Sequence, residues 1–279
     1  MNDLKYALRM LLKSPGFSLI AIATLALGIG ANSAIFSVID AMLLRPLPFK
    51  DPDRIAAVWE KTANSDRDVF SFPDYNDLRE QNRSFSALSC YTRTGGTLSG
   101  VDEAQFLEGV ATTPEIFDVL GVSPQLGRGF TAEEFNENGP RVLLLTHPLW
   151  KRSFGGDPKI LGQQITLSGR PYTVIGIMPP GWKFPVEDEH IDYVTSVGYL
   201  GAGNITNRSA SFLSVVGRLK PGVPIGQAQT KLSGIMARLA REYPNTNIDR
   251  TAVAVRTLHS DITGDVRPAL FVLVGAVAL

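Results

Sequence analysis

Residues 17–49 read FSLIAIATLALGIGANSAIFSVIDAMLLRPLPF, and between Lys13 and Asp40 no side chain carries a charge. A helix rises about 1.5 Å per residue and the hydrocarbon core of a bilayer is roughly 30 Å thick, so about 20 apolar residues cross it. The stretch from Phe17 to Leu44 exceeds that length and can tilt. An export signal has an apolar core of only about 7–15 residues, which favours an uncut transmembrane helix. Ala31-Asn32-Ser33, a weak small-x-small cleavage pattern, points the other way. A purely greasy anchor has no use for Gly28, Gly30, Asn32, Ser33 and Ser37, and a lone amide in hydrocarbon is costly until it finds a partner. Ala26, Gly30 and Ala34 recur at every fourth position, the spacing that lets two helix backbones approach. Together with Asn32 they form the expected helix-packing face, although small residues are frequent in membrane helices generally.

Upstream, Leu4, Leu8, Leu11 and Leu12 share one helical face with Lys5, Arg9 and Lys13 largely off it, and Pro15-Gly16 follows. Residues 1–15 therefore read as an amphipathic helix along the membrane surface, or as a frayed basic leader. Lys5, Arg9 and Lys13 are matched by Arg45, Lys50 and Arg54 on the other side, so the charge count leaves orientation tied. At the far end every residue after Arg267 is apolar up to Leu279. Twelve helical residues reach only about 18 Å. Residues 266–279 thus read as the start of a second, truncated membrane helix, with a short apolar helix docked on the core as the alternative.

Between these ends the chain of 279 residues balances 27 Lys and Arg against 27 Asp and Glu, so no basic excess points to nucleic acid. The single cysteine, Cys90, excludes an internal disulfide and offers no zinc spacing. Gly28-Ile29-Gly30 follows no strand and lacks the Gly-Lys of a phosphate loop. His259-Ser260-Asp261 sets three triad residue types side by side, but a working triad is assembled from distant segments. The run VEDEHIDY, with Glu187, Asp188, Glu189, His190 and Asp192, has oxygen ligands for a hard cation yet reads better as a solvated loop. Asn-x-Ser/Thr at Asn82, Asn204 and Asn207 is short enough to arise by chance, and Trp59, Trp150 and Trp182 are scattered like core residues. The expectation is therefore no catalytic, metal or cofactor site and no enzyme.

Residues 50–262 have soluble character. RIAAVWEK reads as a strand, SFPDYNDLREQN as a helix capped by Ser71 with Asp74 three residues on, and SFSALSCYT as a strand. SFLSVVGRLK is a strand and RTAVAVRTL another. Between them Ile225, Ala228, Leu232, Ile235 and Leu239 mark a helix bounded by Pro224 and Pro244. Strand–helix–strand thus occurs at both ends of the domain, which in one sheet makes a ferredoxin-like split βαβ arrangement. Residues 95–205 form an insertion, expected as a second, β-rich lobe. In it EAQFLEGVAT and RVLLLT read as strands, TPEIFDVLG and HPLWKRSFG as short helices, and QQITLSGRPYTVIGIMPPGW as a hairpin turning at Ser168-Gly169-Arg170. The fold class is α+β: an N-terminal transmembrane helix, then a two-lobed external domain tethered at both ends.

The stretch LRMLLKSPGFSLIAIATLALGIGANSAIFSVIDAMLLRPLPFKDPDRI closely resembles the start of permease subunits of the MacB/FtsX-like family of ABC systems, nearest the duplicated acidobacterial-type group. LTHPLWKRSFGGDPKILGQQITLSGRPYTVIGIMPPGWKFP is similar to a signature of that family's periplasmic core domain. The resemblance implies a first helix over 17–44, a periplasmic domain with a porter-like lobe and an inserted β-rich lobe, and further helices beyond. It implies an N-terminus in the cytoplasm of a bacterial inner membrane and the main domain in the periplasm or outside the cell. The implied partners are a separate cytoplasmic ABC ATPase, a second permease half or homodimer copy, the lipid bilayer and a periplasmic protein. The implied role is export or mechanotransmission, with a membrane-anchored sensor or scaffold domain as the alternative. No catalytic residue carries over.

Overall fold

The computed structural model describes residues 15–39, 47–100, 103–136, 139–184 and 190–264. It divides into two compact units, one of Met1–Pro46 with Thr263–Leu279 and one of Leu47–Ile262. The amphipathic segment expected over residues 1–15, except for Pro15, and the second span expected over 266–279 lie outside the described residues.

In the first unit helix α1 spans Pro15–Ile39. Pro15 begins it, because a fixed φ and a missing N–H suit a first helical position. The part from Pro15 to Ala34 is long and apolar enough to cross a membrane. Its hydroxyls cost little there: Thr24 Oγ1 donates to the Ile20 carbonyl and Ser37 Oγ to the Ser33 carbonyl, each at 2.8 Å.

The second unit opens with β1 (Ile55–Lys61), β2 (Phe70–Ser71), α2 (Phe72–Gln81) and β3 (Phe85–Ser99). There follow β4 (Gln105–Thr112), α3 (Ile116–Leu120), β5 (Leu126–Gly127), β6 (Val142–Leu145), α4 (His147–Phe154), β7 (Gln164–Leu167), β8 (Arg170–Ile177) and β9 (Tyr193–Ser196). The chain returns through β10 (Ser211–Leu219), α5 (Ile225–Glu242), β11 (Ala252–Thr257) and α6 (Leu258–Thr263). Strands β11, β1, β10 and the first half of β3 lie side by side, all antiparallel. Together with α2 and α5 they make the split βαβ lobe expected from the two strand–helix–strand units.

Local chemistry explains its elements. The Ser71 side chain caps α2 by accepting from the Asp74 N–H at 3.2 Å, with Pro73 in the first turn. Helix α5 buries Ala228, Leu232, Met236 and Leu239, with Ile225 and Ile235 only half-buried at the margin. The buried stripe is thus turned slightly from the one expected, toward Met236. Strands alternate their side chains between faces, and here both faces are covered. On one, Ala56, Val58, Leu88, Cys90 and Val215 pack against α2 and α5. On the other, Ile55, Tyr91 and Val216 pack against α3, Phe184 and Leu258.

The second half of β3 carries the same sheet onward into the insertion. Beyond Tyr91 it pairs with β4, and at Leu98–Ser99 with β7. The ladder continues β4–β9–β6–β8–β7 and so returns to β3, closing a six-stranded barrel. Leu98, Leu107, Leu143, Leu145, Ile165, Val174 and Tyr193 fill it, and Leu149 and Trp150 of α4 complete the core. The inserted lobe is this barrel. The β7–β8 hairpin turns on Ser168 (φ 49°) and Gly169 (φ 74°), a two-residue loop with both φ positive.

Gly109, two residues from Leu107 and on the same face of β4, leaves the space that the Tyr193 ring occupies. A Cβ at Gly109 would lie 2.3 Å from that ring. By contrast, a Cβ at Gly234, on exposed α5 surface, meets nothing within 4 Å. We predict that Gly109→Ala costs about 1–3 kcal/mol by overpacking. Gly234→Ala gains roughly 0.5–1 kcal/mol by stiffening a helix interior. Denaturant unfolding of the detergent-solubilised chain, followed by tryptophan fluorescence, checks that the two changes have opposite signs.

Candidate functional site

The candidate site is the place where the chain comes into the external domain and leaves it. The incoming segment buries part of Leu47 and Phe49 in the apolar cluster beneath the sheet. Asp51 then turns with φ 44°, a conformation that Asp tolerates better than most residues, and β1 begins at Ile55. Arg54 locks this corner by donating from Nε and Nη2 to the Leu219 carbonyl at 3.0 and 2.7 Å. Arg218 lies opposite Ile55 in the β1–β10 register and is only 8% exposed. Its Nη2 donates to the Lys50 carbonyl at 2.6 Å and its Nη1 to the Asp51 carbonyl at 3.4 Å. Its Nε donates to the carbonyls of Val119 at 2.9 Å and Asp118 at 3.2 Å.

One guanidinium thus joins the incoming segment, the sheet and the last turn of α3, whose free carbonyls attract a cation. Burial, and then the neighbouring Arg54 charge, pull the Arg218 pKa below the usual arginine value.

The outgoing segment is bolted to the same strand. β11 pairs with β1 from Lys61 to Ala56 and runs directly into α6. Leu258 is fully buried in the same apolar cluster that holds Leu47 and Phe49. The buried Asp261 carboxylate accepts from Trp59 Nε1 at 2.9 Å and lies 3.5 Å from Arg67 Nη2. The Arg67 guanidinium in turn lies 5.0 Å above the Trp59 ring. Incoming and outgoing segments are thus both fixed to β1 and its neighbours.

The residues singled out in the sequence fall elsewhere. Ala26, Gly30, Asn32 and Ala34 all lie on α1, exposed, and a Cβ at Gly30 meets nothing within 4 Å. Of the His259-Ser260-Asp261 run, Asp261 serves the Trp59 bolt. Residues 185–189 of the acidic run lie outside the described residues. The adjoining Asp192 accepts from Arg152 at 3.0 Å and contacts His190 Nε2 at 2.9 Å. Among the described residues no group of His, Cys, Asp and Glu could hold a metal ion. Asn82 folds back to accept from the N–H groups of Ser84 and Phe85 at 2.8 Å each. Trp150 is a core residue, while Trp59 is an anchor. Sequence reasoning missed Arg54 and Arg218. The one available signal was a cation set among the apolar residues of SFLSVVGRLK.

The family described as the MacB-like periplasmic core domain matches residues 18–235. The chain belongs to that family. Solved structures share the fold. The periplasmic region of MacB from Actinobacillus actinomycetemcomitans is 16% identical, with a TM-score of 0.56 over 77% of this chain and 92% of that one. A domain of a putative permease protein from Porphyromonas gingivalis gives 0.54 at 16% identity, over 75% and 90% of the two chains. The extracellular domain of the noncanonic ABC-type transporter YknZ from Gram-positive bacteria gives 0.53 at 18%, over 72% and 99%. No curated protein gives a significant match. The expected kinship with ABC permeases of the MacB/FtsX type is thereby borne out at the level of the family. In this MacB-like domain, both the incoming and the outgoing segment are anchored to β1 and its neighbours.

Arg218→Ala removes the side-chain donor from the carbonyls of Lys50, Asp118 and Val119, while the Asp51 carbonyl keeps the Arg54 N–H at 3.1 Å, and the expected loss is on the order of 3 kcal/mol. Arg218→Lys recovers only part of it, since a single ammonium cannot spread over four acceptors as a guanidinium does. Urea midpoints, with hydrogen exchange at residues 48–54, measure both the loss and its location.

Proposed function

We propose that this chain is part of a permease subunit whose external domain is moved by its membrane helices, in an ABC-type export or mechanotransmission system. The observation that carries the reading is the double anchoring on β1. Arg54 and Arg218 hold the incoming chain at 2.6–3.4 Å, and Trp59 with Asp261 holds the outgoing chain at 2.9 Å. A tethered sensor works with loose connections, whereas a lever needs stiff ones. In this reading the N-terminus is cytoplasmic, the main domain faces the periplasm or the exterior, and the membrane is the bacterial inner membrane. A separate cytoplasmic ATPase supplies the energy, and the domain itself performs no catalysis. Ala26, Gly30, Asn32 and Ala34 pack α1 against other helices of the same permease half, its second half or a homodimer copy, where Asn32 finds the partner that hydrocarbon denies it. A periplasmic protein receives the movement.

The test uses the permease isolated with its ATPase from native membranes and spin-labelled on the external domain. ATP followed by vanadate trapping is expected to change the distance between labels on two copies. Trp59→Phe combined with Arg218→Ala should reduce that change while ATP hydrolysis continues. Hydrolysis with no movement in the unaltered protein, or a permease that never co-purifies with an ATPase, favours the sensor or scaffold reading. Separately, Gly30→Leu is expected to abolish assembly while leaving the unfolding of the external domain unchanged, measured by size-exclusion chromatography and tryptophan fluorescence.

A further inference from the structure

Residues 178–184 leave the barrel at the end of β8 and dip beneath the neighbouring sheet. Met178 donates its N–H to the Leu145 carbonyl at 2.8 Å, and its side chain is fully buried with Val142, Leu144 and Ile175 on the outer side of the barrel. Pro179-Pro180-Gly181-Trp182 then turns. The Trp182 N–H donates to the Pro179 carbonyl at 3.2 Å and Gly181 has φ 72°, so proline and a left-handed glycine take the two central places of a type II turn. Beyond it Trp182 and Phe184 point inward while Lys183 is exposed. The Phe184 ring lies 5.0 Å from Tyr91 at 66° and 6.1 Å from Trp182 at 74°, both edge-on.

Both rings belong to the apolar cluster that holds Leu47 and Phe49 of the incoming chain and Leu258 of the outgoing one. Trp182 also packs with Phe117, Val122 and Phe130 against the barrel's outer residues. A short segment of the barrel lobe thus shares one cluster with both chain ends. Its indole is unlike the other two. Trp59 Nε1 donates to Asp261 at 2.9 Å and Trp150 Nε1 to the Asp157 carbonyl at 3.0 Å. Trp182 Nε1 is buried and has no hydrogen-bond partner among the described residues.

We propose that residues 178–184 form a releasable strap between the barrel lobe and the chain ends. Seated, Trp182 and Phe184 brace Leu47, Phe49 and Leu258; released, they free the chain ends and the barrel connection together. Two opposed effects make the strap releasable. Burial of two aromatic rings holds it down, while the stranded indole N–H favours the state in which water reaches it. Arg218 and Trp59 fix the ends by directional hydrogen bonds, whereas the strap holds by apolar contact. Because the strap and the chain ends share one cluster, loosening either loosens the other, and that coupling is reciprocal. Its use in passing movement from the membrane helices to the barrel rests on the permease reading above; its seating and its reciprocity do not.

Amide exchange of the full chain in detergent reads both ends of the coupling. Phe184→Ala is expected to quicken exchange at residues 49–54 and 258–261 by about tenfold or more, over any change in helix α5. Leu258→Ala should quicken it at residues 181–184 to a similar degree. Replacing the Trp182 indole alone with benzothiophene, by codon suppression, keeps the ring and removes the N–H. Exchange at residues 181–184 should then slow by about fivefold or more. Unchanged chain ends in Phe184→Ala, an unchanged strap in Leu258→Ala, or a strap that does not slow with benzothiophene overturns the proposal. Should Phe184→Ala fail to fold, Leu258→Ala and the benzothiophene protein decide. None of these measurements involves ATP, so failure of the strap and failure of the permease reading are told apart.

Discussion

Strand β3 must satisfy two hydrogen-bonded systems at once. From Phe85 to Tyr91 it pairs with β10, and from Tyr91 to Leu98 with β4. Backbone groups buried in a core have to be paired, so neither lobe can lose its half of β3 without opening the other. Phe85, Leu88 and Cys90 belong to the helix-covered core, while Leu98 belongs to the barrel core. One continuous strand thus makes the barrel an extension of the sheet rather than a domain on a hinge. The parallel pairing of β4 with β9 begins next to this junction, at Gly109 and Tyr193, and stiffens it further.

A second consequence is that the sheet has no wet face. In a simple split βαβ lobe the helices cover one side only and leave the other to solvent or a partner. Here α3, Phe184, Trp182 and the two chain ends fill that other side. Apolar packing alone is non-directional, so it would hold Leu47 and Leu258 in place without fixing their register. Arg218 adds the direction. Its fork geometry meets the carbonyls of Lys50, Asp51, Asp118 and Val119 together only when the incoming segment, β10 and α3 are correctly aligned.

What could be read from the sequence was what depends on neighbours along the chain. The α5 stripe, the Ser71 cap, the Ser168-Gly169 turn and the apolar length of α1 all follow from local spacing. What escaped was set by pairing across long separations. Gly95-Gly96 stands at the boundary expected for the insertion, and no local pattern there announces a strand. In the fold both glycines sit within β3. A Cβ at Gly96 would lie 2.8 Å from the Leu167 side chain and one at Gly95 2.5 Å from the Phe106 ring. Absence of a side chain there serves packing, not chain reversal. Barrel closure depends on β7 meeting the end of β3, about seventy positions away in sequence, a contact no local pattern announces. The anchors were hidden for the same reason. Arg54 and Arg218 bond to backbone carbonyls, which every residue carries, so no partner side chain in the sequence betrays them.

Trp59 and Glu60 are consecutive in β1 yet face opposite sides of the sheet, one reaching the outgoing chain and the other the buried carboxylate cluster. Their chemistries differ in a way that matters. The anchor face uses guanidinium and indole donors on carbonyls and on Asp261. On the opposite face burial disfavours the charge of Glu60 and pushes its pKa up. Neighbouring residues of one strand thus tie β1 to the outgoing chain on one side and to the segment bearing Arg250 on the other.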